Sequence, residues 1–356
     1  MSLTTVGFLF GGQSGEHEVS LMSAQSVLAA LDRSRYRPVL MGIDPHGRWL
    51  YERPLQRLLA GESAPAGTAR WPDPVRLSNI DILFPVLHGT NGEDGVVQGF
   101  LELADLPYVG AGVLSSALAM DKSVSKQVFA AHGLPQTPWA SIHRAQVQNT
   151  PEAVLAHLEA RLSYPMFTKP ANLGSSVGIC KAHNREELLA GLREAAEYDI
   201  IIVVEQAVLH VREIEVSVMG NEHPQTSVPG EIIPSNAFYD YKAKYLSGSS
   251  QTLIPAPISP QLTQRVQNLA LRAFKAVAGS GLARVDFLLN DATGDLYLNE
   301  INTMPGFTKI SMFPKLWQAS GISYPQLIHE LIQLGFQRYE QRKNLRTSRR
   351  PHSPTP

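Results

Sequence analysis

The sequence predicts an α/β protein that folds as two or three packed units. Strand-like apolar runs alternate with segments of helical periodicity in the first hundred residues, a pattern typical of a parallel sheet covered by helices. Near residue 290, two segments of alternating polarity flank a glycine-containing turn, which indicates an antiparallel hairpin. At 356 residues the chain is longer than most single domains and can bury a large core.

The N-terminal unit is predicted to span residues 1–110. A strand over 6–10 leads through a glycine turn into a helix over 17–31. The other predicted elements of this unit are strands over 39–43 and 80–86 and a helix over 95–104. Residues 52–76 are rich in proline, alanine, glycine and arginine with weak periodicity, so we expect them to run over the surface.

Two further units are predicted over 111–205 and 206–340. In the first of these, Asp121 can cap a helix that Gly133 ends. Its other predicted elements are strands over 165–169, 177–181 and 200–204 and a helix over 185–198. The last unit is predicted to contain strands over 213–218 and 228–233, a helix over 263–278 and the hairpin. Residues 341–356 are basic and rich in serine and proline, which is typical of a disordered tail.

Composition and charge narrow the possible functions. The formal net charge is -1 and basic residues are spread along the chain, so no nucleic-acid footprint is visible and small-molecule substrates are favoured. The single cysteine, Cys180, excludes internal disulfides and cysteine-rich zinc sites, and its apolar neighbours predict a buried strand thiol. We find no signal-type N-terminus and no apolar run of membrane length, so we expect a cytoplasmic enzyme.

The hairpin near residue 290 carries a candidate metal site. Because side chains two apart on a strand share a face, Arg284 and Asp286 lie together on one strand, and Glu300 and Asn302 on the other. An odd loop length sets Asp286 opposite Glu300 and Arg284 opposite Asn302. Two carboxylates this close repel unless a cation lies between them, and oxygen-only ligands favour magnesium or manganese over zinc. The alternative is a solvated hairpin face on which the acids and the arginine pair.

The segment N-T-M-P-G-F-T begins at Asn302, directly after the candidate metal ligands. Backbone amides around Gly306 could hold a phosphate or a developing oxyanion. The same residues also fit an ordinary turn at Pro305 and Gly306. Taken alone, the segment favours the ordinary turn.

Residues 167–178, F-T-K-P-A-N-L-G-S-S-V-G, resemble a phosphate-binding loop. Lys169 ends a predicted strand, and the small residues that precede the next strand let backbone N–H groups approach an anion. The pattern is not the strand-loop-helix motif G-x-x-x-x-G-K-[ST], so a P-loop nucleotidase is disfavoured. The alternative is a plain β-hairpin turn. Lys122 is a second candidate cation, although lone lysines on helices usually face solvent.

Two acids could contact a nucleoside. Glu205 follows an apolar strand, where its carboxylate could accept hydrogen bonds from an adenine amino group or from ribose hydroxyls, and Glu213 is a similar candidate. Each of them alone is more simply a surface acid. The order along the chain of a lysine, a glycine-serine loop, a strand-end acid and the D…E-x-N hairpin fits an ATP site between two sheets.

Five segments in this order resemble the ATP-grasp enzymes and, within them, the D-alanine–D-alanine ligase family. The segments are G-G-Q-S-G-E-H-E-V-S, H-G-T-N-G-E-D-G, K-P-A-N-L-G-S-S-V-G, F-Y-D-Y-K-A-K-Y, and R-V-D-F with N-E-I-N-T-M-P-G-F-T. The resemblance extends over 6–335. It implies a three-domain ATP-grasp architecture, in which an N-terminal parallel α/β domain precedes two sheets that bind ATP between them.

The resemblance also implies the residues that bind the nucleotide and the metal ions. ATP would be bound by Lys122, Lys169, Ser175, Ser176, Glu205, Glu213 and Lys244. Two Mg2+ or Mn2+ ions would be held by Asp286, Glu300 and Asn302. Arg284 and the Gly306 amide would face the transferred phosphoryl group and the tetrahedral intermediate.

The D-alanine site is implied in the same way. Glu16 would anchor the ammonium group of the first D-alanine, His88 would lie close to its carboxylate, and Ser175 and Tyr245 would join Glu16 to close the site. The carboxylate of the second substrate would lie at Ser311-Met312, where the family often has Ser-Leu, a change of little volume. Taken singly, Glu16 could be an acid favoured by a helix dipole, His88 a satisfied core histidine and Tyr245 a packing residue.

The activity implied is the ATP-dependent joining of two D-alanine molecules through D-alanyl phosphate, for peptidoglycan precursor synthesis, by a homodimer. An aromatic lid over 238–245 would exclude water. Ligation of D-lactate or D-serine is the nearest alternative, although Tyr245 in K-A-K-Y resembles the D-alanine-using form. An ATP-binding protein without chemistry is disfavoured because the hairpin residues are all present. The E-H-E-V-S and lid motifs, and the absence of a biotin-carrier segment, disfavour other ATP-grasp ligases and carboxylases.

Overall fold

The computed structural model describes residues 3–60, 69–233 and 251–346. Three β-sheets organise this part of the chain, and they follow one another along the sequence. The predicted lid, with Lys244 and Tyr245, lies outside the described residues.

The first sheet consists of β1 (Thr4–Gly11), β2 (Tyr36–Ile43), β3 (Trp49–Leu50) and β4 (Ile82–Val86). In the order β3-β2-β1-β4, the pairs β2-β1 and β1-β4 are parallel and only β3 is antiparallel. The helices of this unit are α1 (His17–Ala30), α2 (Glu52–Leu59), α3 (Pro74–Leu77) and α4 (Val96–Leu103). All of β4, and all of β1 except its first residue, are buried, as expected for parallel strands covered on both faces. The predicted parallel sheet is confirmed.

One expectation for this unit is wrong. Residues 52–76 do not simply run over the surface, because α2 buries Leu55 and Leu58 in the core beside β2. Leu55, Leu58 and Leu59 recur at i, i+3 and i+4, so a short helical period is present in this segment although its composition is rich in proline and arginine. Trp71, by contrast, is 76% exposed, as expected of a surface segment.

The second sheet is antiparallel, with the order β5-β8-β6-β7. The elements from residue 113 to residue 206 are α5 (Val113–Met120), α6 (Lys122–Ala131), β5 (Trp139–His143), α7 (Arg144–Asn149), α8 (Pro151–Glu159), β6 (Met166–Pro170), β7 (Cys180–Ala182), α9 (Arg185–Tyr198) and β8 (Ile201–Gln206). The Asp121 carboxylate accepts the Val124 N–H at 2.9 Å, which confirms the predicted helix start. Cys180 is half-buried on β7, and burial raises the pKa of its thiol.

The third sheet has the order β12-β11-β9-β13-β14, with β10 added along β9. The remaining elements are β9 (Val211–Gly220), β10 (Gln225–Thr226), β11 (Gly230–Ile233), β12 (Gln251–Leu253), α10 (Pro260–Ala276), β13 (Gly281–Asn290), β14 (Leu296–Asn302), α11 (Met312–Ala319) and α12 (Tyr324–Lys343). All pairs in this sheet are antiparallel. The predicted hairpin is β13-β14.

The core of the first sheet includes residues from the other end of the chain. Helix α12 packs Leu327 and Leu331 into the cluster around Phe8. Phe307, which follows β14, contacts Phe84 of β4 edge to face, with ring centroids 5.6 Å apart. The N-terminal sheet therefore fixes the position of the segment after the hairpin. Helix α12 continues past residue 340, where the predicted tail begins. None of the helices in the described ranges is long and apolar enough to cross a lipid bilayer.

Candidate active site

A cavity of about 310 Å3 lies between the second and third sheets and reaches the N-terminal unit. Most of the predicted site residues line it, from all three parts of the chain. They are Glu16, Lys122, Lys169, Ser175, Ser176, Glu205, Glu213, Arg284, Glu300, Asn302, Gly306, Ser311 and Met312. Of the other described candidates, His88 and Asp286 lie behind the lining.

The predicted pairs across the hairpin are observed, but a β-bulge between Asp286 and Phe287, rather than an odd loop length, produces them. Arg284 pairs with Asn302 and Asp286 pairs with Glu300 across β13 and β14. On its other side, Asp286 pairs with Glu215 of β9. Three carboxylates therefore lie in a row across three neighbouring strands, on the face that borders the cavity.

Arg284 lies against this row of acids. Its Nε and one terminal nitrogen donate to both oxygens of Asp286 at 2.7 and 2.6 Å, and Nε is 3.0 Å from Glu215. The side chain of Arg284 is only 16% exposed and that of Asp286 only 11%. The predicted alternative of a solvated face is wrong, because this pairing is largely buried. Burial strengthens a charge-assisted bidentate pair relative to one in water.

The oxygen donors of the hairpin are of the kind that hard divalent cations prefer. Asn302 Oδ1 accepts the Met304 N–H at 2.9 Å, and Asp286 is engaged by Arg284. Across the described ranges, no group of three or more histidine, cysteine, aspartate or glutamate side chains is arranged to hold a metal ion. The predicted set has two carboxylates and one amide, so its fit to a cation depends on oxygen ligands from the nucleotide.

The glycine-serine loop has an unusual backbone. Ser175 and Ser176 both have positive φ, 52° and 61°, which is uncommon for residues with a Cβ. Consecutive residues in this conformation can turn their N–H groups toward one side, and strain of this kind concentrates at functional sites. The loop joins β6 to β7 as a hairpin, so the turn alternative describes its topology. Lys122 Nζ donates to the Leu173 carbonyl and so ties the start of α6 to the loop.

Glu205 lies at the end of β8 among basic side chains. Its Oε1 is 3.1 Å from Lys169 Nζ and 3.4 Å from Lys126 Nζ. Its Oε2 accepts a hydrogen bond from Thr137 Oγ1 at 3.4 Å. Burial alone would raise the pKa of Glu205, but the attraction of Lys126 and Lys169 outweighs it and lowers the pKa to about 2. Glu205 is therefore an ionised acceptor.

Two acids occupy the N-terminal end of the cavity. Glu16 lies at the start of α1 but makes no capping hydrogen bond with its side chain, so helix capping does not explain it. Glu93 lines the same cavity and accepts the Gly89 N–H at 3.0 Å through Oε1. Burial, and then the charge of Glu16, raise the pKa of Glu93 well above its usual value. Both acids can accept hydrogen bonds from an ammonium group, and a cation beside them would favour their ionised forms.

Both ring nitrogens of His88 make hydrogen bonds, and the side chain does not line the cavity. Its Nδ1 lies 2.9 Å from the Met304 carbonyl, so Nδ1 carries the proton and donates it. Its Nε2 then accepts from Ser23 Oγ at 3.0 Å, and Ser23 Oγ accepts the Phe307 N–H at 3.2 Å. Burial lowers the pKa of His88 to about 4. The histidine thus holds the segment that contains Gly306.

Gly306 and the start of α11 also border the cavity. Within the described residues the Gly306 N–H has no hydrogen-bond partner, so it remains available to an oxyanion. Ser311 Oγ accepts the Thr308 N–H at 3.1 Å and lies 2.8 Å from Thr308 Oγ1. The Met312 side chain is buried beside it.

Sequence reasoning missed three residues of this site. Glu215 shares a face with Glu213 in the alternating run V-R-E-I-E-V, and Lys126 is four residues after Lys122 on α6, so both could have been found by spacing. Glu93 follows Gly92 in the H-G-T-N-G-E-D-G segment. Only the folded arrangement shows that it neighbours Glu16.

Comparison with known families agrees with this geometry. The family model described as D-ala D-ala ligase N-terminus matches residues 5–111, and the model described as D-ala D-ala ligase C-terminus matches residues 128–333. The D-alanine–D-alanine ligase of Heliobacterium modesticaldum is 49% identical, covering 99% of this chain and 100% of that protein. That of Natranaerobius thermophilus is 47% identical, covering 96% and 97%.

Solved structures show the same architecture. The D-alanine-D-alanine ligase from Coxiella burnetii has a TM-score of 0.81 at 36% identity, covering 96% of this chain and 97% of that one. A D-Ala:D-Ser ligase from Enterococcus faecalis has a TM-score of 0.80 at 32% identity, covering 94% and 100%. The predicted ATP-grasp fold is confirmed, and the chain belongs to the D-alanine–D-alanine ligase family.

Proposed function

We propose that this chain is an ATP-dependent ligase that joins two D-alanine molecules into D-alanyl-D-alanine for the peptidoglycan precursor. One observation carries the proposal. In a chain of this family, a single cavity is lined by two acids from the N-terminal unit, two lysines, the acidic hairpin and Gly306. The curated relatives named above as D-alanine–D-alanine ligases support D-alanine as both substrates.

ATP lies between the second and third sheets in this proposal. Lys122 and Lys169, with the Ser175-Ser176 loop, bind the phosphates, and Glu205 and Glu213 bind the adenosine. Lys244 adds a further positive charge, as the family resemblance implies. Lys244 lies outside the described ranges. All the other residues border the same cavity, which supports the proposal.

Asp286, Glu300 and Asn302 are the proposed metal ligands, and Mg2+ or Mn2+ fits their oxygen donors. When bound, two such ions offset the negative charge of the phosphate oxygens. Arg284, now paired with Asp286 and Glu215, is placed beside them so that its guanidinium can also meet a transferred phosphoryl group.

The first step activates a carboxylate. Glu16 holds the ammonium group of the first D-alanine, with Glu93 next to it. A carboxylate oxygen of that D-alanine attacks the γ-phosphorus of ATP and forms the P–O bond of D-alanyl phosphate, and ADP leaves. The lysines and Arg284 stabilise the charge on the transferred oxygens. Closure of residues 238–245, with Tyr245 joining Ser175 and Glu16, would protect this acyl phosphate from water.

The second step forms the amide. The neutral amine of the second D-alanine attacks the acyl carbon, the oxyanion accepts hydrogen bonds from Arg284 and the Gly306 N–H, and phosphate leaves as the amine loses a proton. Ser311 binds the carboxylate of this second substrate beside Met312. His88 contributes by position, because its hydrogen bond to Met304 and its link through Ser23 to Phe307 fix the backbone on both sides of Gly306.

The setting of the reaction follows from its substrates. Because the reaction uses ATP and makes a cell-wall precursor, we place it in the cytoplasm. The family resemblance supports a homodimer. Size-exclusion chromatography with light scattering would test the dimer directly.

The function is tested by incubating the purified chain with ATP, magnesium and D-alanine, alone or with D-lactate or D-serine. Phosphate release and product mass are measured together. We expect phosphate and D-alanyl-D-alanine in equal amounts, with little product from D-lactate at neutral pH. A predominant depsipeptide or D-alanyl-D-serine product would instead assign the chain to the alternative ligase activity.

A further inference from the structure

Lys126 is a buried cation that the reaction just described does not use. It lies on α6 with a side chain only 2% exposed, and it is not among the residues that line the cavity. Its Nζ is 3.4 Å from Glu205 Oε1 and has no hydrogen-bond partner within the described ranges. A buried ammonium with one carboxylate neighbour is costly, and an apolar side chain of the same volume would often stabilise the fold better.

The carboxylate that Lys126 contacts lines the cavity together with apolar side chains. Glu205 pairs directly with Phe167 of β6, so the two side chains share a face of the sheet. Beyond Glu205, the wall continues through Ala207 and Val208. An acceptor beside an aromatic ring and small apolar groups suits the edge of a purine base.

Two lysines share one oxygen of Glu205, but they differ in access. Lys169 lines the cavity and is 13% exposed, so it can turn toward a nucleotide phosphate. Lys126 lies behind the carboxylate and cannot reach a ligand. When ATP binds and attracts Lys169, Lys126 remains as the cation beside Glu205 Oε1.

We infer that Lys126 is a positioning residue for base recognition: it holds Glu205 ionised and aimed, so that Glu205 Oε2 accepts from the 6-amino group of adenine and repels the 6-oxo group of guanine. A carboxylate without a proton can only accept hydrogen bonds, whereas a protonated one can donate to guanine O6. Within the described residues, Thr137 Oγ1 is the one hydrogen-bond donor to Oε2, at 3.4 Å, which leaves acceptor capacity for the base. The inference rests on the proposed function only in that the nucleotide is ATP.

The test measures nucleotide selectivity apart from ligation. Dissociation constants for the β,γ-imido analogues of ATP and GTP are measured by calorimetry, with magnesium, on the full chain and on Lys126→Met. We expect the preference for the adenine analogue to fall by about tenfold or more in the variant, on the scale of one hydrogen bond to a charged group. The matched control is Gln127→Met, which places the same side chain at the next, exposed position of α6 and should keep the preference.

A double variant separates this role from a general structural one. Because Lys126 acts through the carboxylate, Lys126→Met should change selectivity in the natural background but not in the Glu205→Gln background. If Lys126→Met does not fold, Lys126→Gln takes its place, because it removes the charge but keeps a hydrogen-bond donor beside Glu205, and it should lower the adenine preference likewise. The inference would be overturned if a folded Lys126→Met variant had the same nucleotide selectivity as the natural chain. It would also be overturned if Lys126→Met/Glu205→Gln differed in selectivity from Glu205→Gln.

The two proposals fail in different ways. A chain that makes no D-alanyl-D-alanine but loses adenine preference in Lys126→Met would refute the proposed function and keep this inference. A chain that makes D-alanyl-D-alanine, but whose folded Lys126→Met variant keeps full adenine preference, would support the proposed function and refute this inference.

Discussion

Replacing Arg284 with methionine removes the guanidinium from between two acids on neighbouring strands. In the natural chain, Arg284 donates to both oxygens of Asp286 at 2.7 and 2.6 Å and lies 3.0 Å from Glu215, and all three side chains are at least four-fifths buried. The substitution leaves Asp286 and Glu215 paired across the ladder with no cation between them. Breaking a buried pair in this way costs about 3 to 5 kcal/mol of the free energy of unfolding.

The loss of turnover should be separate from the loss of stability. Arg284 is proposed to meet charge that develops in the transition state, and removal of one such donor lowers kcat by roughly a hundredfold or more. The assay is phosphate release at saturating ATP and D-alanine, at a temperature where urea unfolding shows that the variant is folded. Dipeptide mass confirms that the phosphate comes from ligation.

Arg212 provides a matched control on β9. It donates to both oxygens of Glu231 at 2.8 and 2.7 Å and to Asp291 at 3.0 Å, but it does not line the cavity. Arg212→Met should therefore lower the free energy of unfolding while turnover per folded molecule stays at the natural value. A near-normal rate for Arg284→Met, or an equal loss of rate in both variants, would refute the catalytic role of Arg284.

Three further outcomes follow from the geometry. The pKa of His88 is lowered to about 4 by burial, so the unfolded chain binds a proton there near pH 6.5 and the folded chain only near pH 4. As the pH falls from about 6.5 to about 4, the free energy of unfolding should therefore fall by roughly 3 kcal/mol. Urea titrations of His88→Asn should lack this component. Glu300→Gln should raise the magnesium concentration for half-maximal rate by at least about tenfold, and unchanged magnesium dependence would remove Glu300 from the proposed ligands. Glu16→Gln should raise KM for D-alanine by at least about tenfold with a smaller change in KM for ATP, and the reverse pattern in initial rates would assign Glu16 to the nucleotide.

The hairpin shows what a sequence can determine about a site. Alternation with period two predicts that Asp286 and Glu300 share a face, and the observed pairing agrees. The predicted odd loop does not produce this pairing, because Leu289 pairs with Leu296 across six residues and a bulge between Asp286 and Phe287 shifts the register by one residue. The same rule does not reveal which strand lies on the other side of β13. Glu215 joins the row of acids only because β9 pairs there, and that pairing depends on contacts across more than sixty residues of chain.

The role of His88 could not be deduced from its neighbours in the sequence. The sequence left two interpretations open, a contact with substrate and a satisfied core histidine. The hydrogen bonds show a core histidine that also holds the segment containing Gly306, the proposed oxyanion donor. Its partners Ser23 and Met304 are far apart in the chain and carry no local pattern. Helix α2 differs, because Leu55, Leu58 and Leu59 recur at i, i+3 and i+4, so its helical period could have been detected in the sequence.

The placement of Gly306 depends on the packing of both chain ends. Phe307 packs on Phe84 of the N-terminal sheet, and α12 adds Leu327 and Leu331 to the same core. The Ser23-His88 pair binds the backbone just before and after Gly306 in that core. An oxyanion donor must be fixed before charge develops, because reorganising it during the reaction would cost part of its effect. The N-terminal unit therefore contributes more than the proposed Glu16 site, since its packing also fixes the Gly306 backbone that is proposed to stabilise the second step.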